Sequence, residues 1–505
     1  MTKKSIGKPG TSRQKAYQVI ISRLDGLRTS ELSYREKQFE LVDKGIGGFI
    51  LFGGIRAELK SFISELQARS RIPLLIASDI ERGVGQQIEG LTSFPSQMAF
   101  AAGFDLSQKT DTELLVQAIR AIAGEAADMG INMPLIPVLD VNKNPDNPII
   151  CTRAFSDDPA MVSRFGSIYI KTLEEAYLIS CAKHFPGHGD TSTDSHISLP
   201  EIRKTRDALF DSDIAPFKNA IEAGVGSIMM GHLSVPAFDE RPASLSHRIT
   251  TTLLKEGLGF TGLVLTDALN MHALREFGDA GLECLKAGAD ILLHPDDPDA
   301  TASALLSAMQ EKRLDPDILD AAVKRILEAK AYLVGRAIEE IDLKNNSLLS
   351  KTISQRAVTL IKDTSGLLPL ADSKAVCTIF AGDDKYFSTS AFASLRAPSI
   401  AAEILNVMSD EVILIAIFTS VAAWRGSSGI SNEERNRLTN LIAKAKKSIV
   451  VSLGSPYVLR YFKDADVLIA AYDPTLQAQE AVINCLCGAS PFTGRLPVHI
   501  SEVAP

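Results

Sequence analysis

Eight short apolar, β-branched runs punctuate the first 335 residues, at 18–24, 48–52, 73–79, 131–141, 179–184, 227–233, 262–269 and 289–294. Between them lie longer amphipathic stretches, among them 57–70, 110–129, 159–175, 205–223 and 271–287. Near-continuous apolar strands separated by helices pair in parallel and are buried on both faces. Eight such units in roughly 300 residues predict an α/β fold of the (β/α)8, TIM-barrel type rather than an open doubly wound sheet. An open sheet calls for a phosphate-binding turn, and the nearest candidate, Gly83-Val84-Gly85-Gln86-Gln87-Ile88, lacks the third glycine of GxGxxG.

At 505 residues the chain exceeds what one ordinary core accommodates. The stretch 315–337 reads as a closing helix pair, so the barrel domain is expected over 1–337, with an acidic, Asn/Ser-bearing linker at 338–350. A second alternation occupies 351–505, with strands expected at 357–362, 376–380, 411–418, 448–453 and 466–471 and helices at 432–447 and 475–487. That pattern predicts a smaller α/β sandwich with an open, largely parallel sheet.

A net charge of −8 with no Lys/Arg block argues against nucleic acid or an anionic membrane as partner. The longest early apolar run, 16–21, is too short for a signal peptide, and nothing approaches the 18 or more apolar residues of a membrane helix. The six cysteines (Cys151, Cys181, Cys284, Cys377, Cys485 and Cys487) form no disulfide framework and no CxxC. A cytoplasmic protein with mostly buried thiols is the expectation.

A barrel carries its chemistry at the C-terminal ends of its strands. Ionisable residues stand at that end of five predicted strands: Asp79 and Glu81 on the third, Asp140 and then Arg153 after the fourth, Lys183 and His184 on the fifth, His232 on the sixth and Asp267 on the seventh. The stretch from Lys183 to His196 is the most concentrated, holding three of the eight histidines (His184, His188, His196) with Asp190 and Asp194.

Cleaving a glycosidic bond with retention needs a proton for the leaving oxygen and a nucleophile on the opposite face of the sugar. Asp267, ending an apolar strand, suits the nucleophile; capping the next helix is the competing role. Asp194 and His196 lie two apart, so in an extended loop both side chains point the same way and the carboxylate reaches the ring. Such a pair exchanges a proton near neutral pH. Two further readings stand beside this one. The loop histidines with Asp190 or Asp194 could bind a metal, although spacings of four and eight match no standard zinc pattern. Or the loop is a structural hydrogen-bonded turn.

The run Lys183-His184-Phe185-Pro186-Gly187-His188-Gly189-Asp190-Thr191, continuing to Asp194-Ser195-His196, resembles the signature of the β-N-acetylglucosaminidases of glycoside hydrolase family 3. Asn147-Pro148-Ile149-Ile150-Cys151-Thr152-Arg153-Ala154-Phe155 resembles the family's arginine segment, and the stretch 262–271 around Asp267 its nucleophile segment. Gly366-Leu367-Leu368-Pro369-Leu370 and Gly494-Arg495-Leu496-Pro497-Val498 resemble its second domain. The resemblance implies that Asp267 forms a covalent glycosyl-enzyme, that His196 paired with Asp194 is the acid/base, and that Asp79, Arg153, Lys183 and His184 hold sugar hydroxyls. One segment departs. The family's Asp-x-Glu-Gly-Gly-Arg-Val-x-Arg reads here Asp79-Ile80-Glu81-Arg82-Gly83-Val84-Gly85-Gln86-Gln87, so Gln87 stands where the sugar-holding arginine is expected. Gln87 can hydrogen-bond but carries no charge.

The resulting expectation is a retaining exo-β-N-acetylglucosaminidase, its cytoplasmic relatives acting on peptidoglycan fragments during recycling. It needs no cofactor or metal, takes a small carbohydrate as partner, and is a monomer or homodimer. A phosphate-dependent phosphorylase on the same bond is the alternative, since a histidine acid/base does not repel phosphate as a carboxylate would. A β-glucosidase and a non-catalytic sugar-binding protein are the remaining readings.

Overall fold

The computed structural model describes residues 7–193, 199–333, 341–370, 376–395, 412–421 and 427–501. Each apolar run of the first part yields a strand: β1 (Ile20–Asp25), β2 (Gly48–Phe52), β3 (Leu75–Ser78), β4 (Met133–Pro134), β5 (Cys181–Phe185), β6 (Ser227–Met230), β7 (Leu263–Thr266) and β8 (Leu292–Leu293). They pair in parallel, in a five-stranded sheet of order β4-β3-β2-β1-β8 and a three-stranded sheet β5-β6-β7. Single parallel bridges join Val138 to Lys183 and Leu265 to Ile291. β4 is far shorter than the 131–141 run because Pro134 and Pro137 have no N–H to give to a ladder.

The helices fall between these strands. Arg56–Arg69, Lys109–Asp128 and Pro159–Glu175 match the amphipathic stretches closely. Two expected helices are divided. The 205–223 stretch splits into Arg206–Asp211 and Ala215–Glu222, with the wholly buried Asp213 in the break and Pro216 in the first turn of the second piece. The 271–287 stretch splits into a 3-10 turn, His272–Phe277, and the helix Ala280–Ala287, with Gly278 between them at φ 67°. A wide-turn π-helix, Arg248–Gly257, has no counterpart among the expected helices. The helix pair expected over 315–337 is, among the described residues, one helix, Pro316–Tyr332, preceded outside that stretch by Pro298–Gln310. From Pro316–Tyr332, the fully buried Lys330 donates through Nζ to Gln18 Oε1 (2.6 Å) and to the Gly47 carbonyl (2.8 Å), fastening the helix to the start of β1 and β2.

The chain divides into two units, of which the first is 1–94, 116–140 and 162–343. The second takes 344–505 together with 95–115 and 141–161, two segments that the sequence alone assigns to the barrel domain. Hydrogen bonds explain this membership: Ser96 Oγ donates to the Tyr472 carbonyl (3.1 Å), and Asn142 Nδ2 to Tyr457 Oη (2.8 Å). The second unit's sheet runs β10 (Val376–Gly382), β11 (Val412–Phe418), β12 (Lys447–Leu453), β13 (Val467–Ala470), β9 (Thr359–Asp363), parallel except for β9. The helix Asn432–Lys444 packs on one face through Leu438, Leu441 and Ile442, and Leu476–Leu486 on the other through Ala478, Ala481 and Val482. Where a linker was expected, Leu343–Ala357 is helical. Among the described residues no helix is long and apolar enough to cross a membrane, and five of the six thiols are buried, Cys487 being exposed.

Candidate active site

The site is built from residues at the C-terminal ends of the first unit's strands. After β3 come Asp79 and Glu81; from β5, the buried Lys183 reaches both carboxylates, Nζ lying 2.6 Å from Asp79 Oδ1 and 2.8 Å from Glu81 Oε1. Two acids on one buried ammonium offset its desolvation, and they differ in use. Glu81 is buried, whereas the Asp79 side chain remains 31% exposed. Gln87 supports Asp79 from behind: its amide nitrogen donates to the Asp79 carbonyl (3.1 Å), and its Oε1 accepts from Gly53 N–H (3.2 Å). The residue expected to touch sugar thus ties the β2 and β3 loops together.

Asp140, after β4, is wholly buried and organises the next layer. Its Oδ2 accepts from His184 Nδ1 at 2.6 Å, and its Oδ1 accepts the backbone N–H of His184 (3.2 Å) and of His188 (2.6 Å). A carboxylate on Nδ1 keeps a proton on that nitrogen and fixes the orientation of the His184 ring. The Lys183–His184 peptide is cis, and the β5–β6 register shifts between Lys183 and Phe185. The His188 ring is also buried; burial pushes it down to about 4, so it is neutral at pH 7. Thr191 Oγ1 donates to the His188 carbonyl (3.0 Å) and lies 2.8 Å from His188 Nδ1, which orients the ring.

The loop after β5 is anchored by Lys204, whose Nζ lies 3.0 Å from Asp190 and 2.8 Å from the buried Asp213. Gly187 permits this approach: at φ 131°, a Cβ there would sit 2.7 Å from that of Asp213. Asp194 and His196 lie outside the described residues. Among the described residues no group of three His, Cys, Asp or Glu side chains is placed to hold a metal; His184, His188 and Asp190 are engaged by Asp140, Thr191 and Lys204 instead.

Asp267 comes directly after β7, half-buried, its N–H donating to the Met230 carbonyl (3.0 Å) and its Oδ1 accepting from Ala268 N–H (2.7 Å). The buried His232, after β6, holds the next carbonyl in place: Nε2 donates to Ala268 O (3.2 Å), and Nδ1 faces Ser244 Oγ (2.8 Å). His294, after β8, is pushed down by burial and by Arg23, while the charges of Asp79 and Asp267 act in the opposite sense.

Asp79, Lys183, His184 and Asp267 thus stand at the same ends of their strands, as expected. Arg153 belongs to the second unit, where its Nη1 donates to the Ile149 carbonyl (2.9 Å). Sequence reasoning leaves Asp140 and His232 without a role and misses His294. All three carry the signal that flags the others, an ionisable residue at or near the end of an apolar run.

Residues 12–329 match the N-terminal domain of glycosyl hydrolase family 3. Beta-hexosaminidase A of Pseudoalteromonas piscicida is 30% identical over 547 residues, spanning 92% of this chain and 91% of that relative. A beta-N-acetylglucosaminidase/beta-glucosidase of Cellulomonas fimi is 26% identical, covering 90% of this chain and 88% of its own length. Among solved structures, a glycoside hydrolase family 3 beta-N-acetylglucosaminidase from Paenibacillus sp. superposes with a TM-score of 0.84 at 28% identity, covering 98% of this chain and 100% of that one.

Proposed function

The chain belongs to glycoside hydrolase family 3 and is a glycosidase, and we propose that it is a retaining exo-β-N-acetylglucosaminidase that removes terminal β-linked N-acetylglucosamine. The observation that carries this reading is the pair of buried clamps, Asp79/Glu81–Lys183 and Asp140–His184, on the strand ends that also present Asp267. Clamped polar groups of this kind suit a sugar ring, whose hydroxyls both donate and accept. Full-length similarity to N-acetylglucosaminidases supports the choice of sugar.

In the proposed reaction the Asp267 carboxylate attacks the anomeric carbon while His196, oriented by Asp194, gives its proton to the departing oxygen. Water then opens the glycosyl–Asp267 ester, His196 taking the proton from water. Asp79, Lys183 and His184 position the sugar, with Arg153 as a further contact, and Gln87 acts through Asp79. The eight strands close into one barrel; the bridges Val138–Lys183 and Leu265–Ile291 span the two places where the sheets part and support this closure. Peptidoglycan fragments in the cytoplasm are the substrate pool this reading names.

The test is release of 4-nitrophenol from β-N-acetylglucosaminide and β-glucoside in phosphate-free buffer. Preference for the N-acetylated sugar without phosphate is expected; turnover only on adding phosphate would make the protein a phosphorylase. Asp267→Ala should abolish turnover on every substrate. His196→Ala should spare the first step on aryl glycosides, which need little protonation, while losing it on sugar leaving groups. Equal loss on both would remove His196 from the acid/base role.

A further inference from the structure

We propose that His232 is a positioning residue for Asp267: by holding the Ala268 carbonyl, it keeps the Ala268 N–H on Asp267 Oδ1 and so aims the carboxylate. This rests on the proposed reaction, with Asp267 as nucleophile, and adds the group that orients it.

Asp267 is the first residue beyond β7, where the strand ladder no longer holds the backbone. Three successive peptide groups then set the direction of its side chain. The first, 266–267, is held by the Asp267 N–H donating to the Met230 carbonyl (3.0 Å). The third, 268–269, is held on both edges: the Leu269 N–H donates to the Leu293 carbonyl (2.9 Å), and the Ala268 carbonyl accepts from His232 Nε2 (3.2 Å). The middle one, 267–268, donates its N–H to Asp267 Oδ1 (2.7 Å). A planar peptide does not bend within itself, so two fixed neighbours hold the middle group in one orientation. Without His232 the third peptide keeps a single tether and pivots about it, and the middle N–H swings with it. The bond at stake is of the stronger kind, an N–H on an ionised oxygen. Misplacing a reacting group by 1 Å costs about 10²-fold in rate.

The surroundings of His232 make it a rigid support. The ring is wholly buried, and a carbonyl only accepts, so Nε2 carries a proton. Nδ1 lies 2.8 Å from Ser244 Oγ, a hydroxyl that either donates or accepts. Ser244 sits in the 3-10 turn Ala243–Leu245, which is itself tied down. The Ala243 N–H donates to the Leu233 carbonyl (2.7 Å), Thr250 Oγ1 donates to the Ala243 carbonyl (3.2 Å), and Ser246 Oγ donates to Asp239 (2.6 Å). An apolar side chain would fill the same space without desolvating two ring nitrogens. What the imidazole adds is a fixed donor, and that donor is spent on the residue next to Asp267.

The experiment measures kcat/KM on 4-nitrophenyl β-N-acetylglucosaminide and the inhibition constant of N-acetylglucosamine, for the full chain as wild type, His232→Leu and His232→Gln. In His232→Leu kcat/KM should fall about tenfold, as for one lost buried hydrogen bond, while the inhibition constant stays within about twofold. In His232→Gln, whose amide NH2 can replace Nε2–H, most of the rate should return. Loss of rate and of inhibitor binding together, or no recovery with Gln, would make His232 a structural residue and overturn the proposal; so would an unchanged kcat/KM. If His232→Leu does not fold, Ser244→Ala, which releases the ring, carries the same test: kcat/KM should fall with the inhibition constant kept, and an unchanged rate overturns the proposal. A wild type inactive on this substrate, or an active Asp267→Ala, would instead overturn the proposed reaction on which the inference rests.

Discussion

Replacing Asp140 with Asn changes one atom in the buried hub of the site, and its consequence can be worked through atom by atom. The carboxylate accepts three hydrogen bonds, from His184 Nδ1 and from the backbone N–H groups of His184 and His188. The two backbone donors share Oδ1 and cannot adapt, so the amide oxygen of Asn must stay with them. The NH2 group then meets His184 Nδ1, where two donors oppose each other. The ring escapes the clash by carrying its proton on Nε2, so that Nδ1 accepts and the nitrogen that the proposed reaction turns towards the sugar is fixed as a donor. A hydrogen bond to a charged group contributes about 1.5–3 kcal/mol, so kcat/KM should fall roughly 10- to 150-fold. Fold should survive, since every backbone bond is kept. The assay is kcat/KM on an aryl β-N-acetylglucosaminide, with nitrogen NMR reporting the His184 tautomer. A variant within twofold of wild type, with the Nδ1 proton still in place, would show that the Asp140–His184 pair does not govern the site.

Two more outcomes concern buried titratable groups. His188 is held down to about 4 by burial, below its ordinary 6.5. The unfolded chain therefore binds more protons than the folded one between those values, and this group's contribution falls as pH drops from about 6.5 to 4. His188 should read as neutral by NMR at pH 6; a ring titrating near 6.5 would contradict its burial. Lys330 is pushed down to about 7 from 10.5 by burial. Between those pH values the unfolded chain again holds the extra proton, so its penalty is complete below 7 and is relieved as pH rises towards 10.5. The thermal midpoint of wild type relative to Lys330→Met should climb across that window, and a constant difference would mean that Lys330 stays charged.

The fold was legible because parallel strands buried on both faces leave long apolar runs, and every such run became a strand. What misled was local chemistry that hydropathy does not register. Pro134 and Pro137 shortened β4 to two residues, and Gly278 broke a helix that periodicity carried through. In the site, position on the strand located Asp79, Lys183, His184 and Asp267, because the end of a strand is a one-dimensional coordinate. Partnership is not. Nothing in the order of residues says that Asp140 spends both oxygens on the 184–188 turn, or that Gln87 turns its amide towards Gly53 and Asp79. The chemistry of Gln87 points to a sugar contact; its bonds to Gly53 and Asp79 are visible only in the geometry.

The membership of 95–115 and 141–161 in the second unit has a consequence for how the chain can be divided. The backbone passes between units after residues 94, 115, 140, 161 and 343, five passages where two domains in series would need one. A cut near 340 therefore does not release two self-sufficient pieces. It leaves the carboxy-terminal fragment without Ser96 and Asn142, the partners of Tyr472 and Tyr457, and leaves the amino-terminal fragment with two stretches stripped of theirs. Such threading brings together residues far apart in sequence, and contacts of long sequence separation slow folding. Along the sequence the two units are not beads on a string but two alternating threads of one chain.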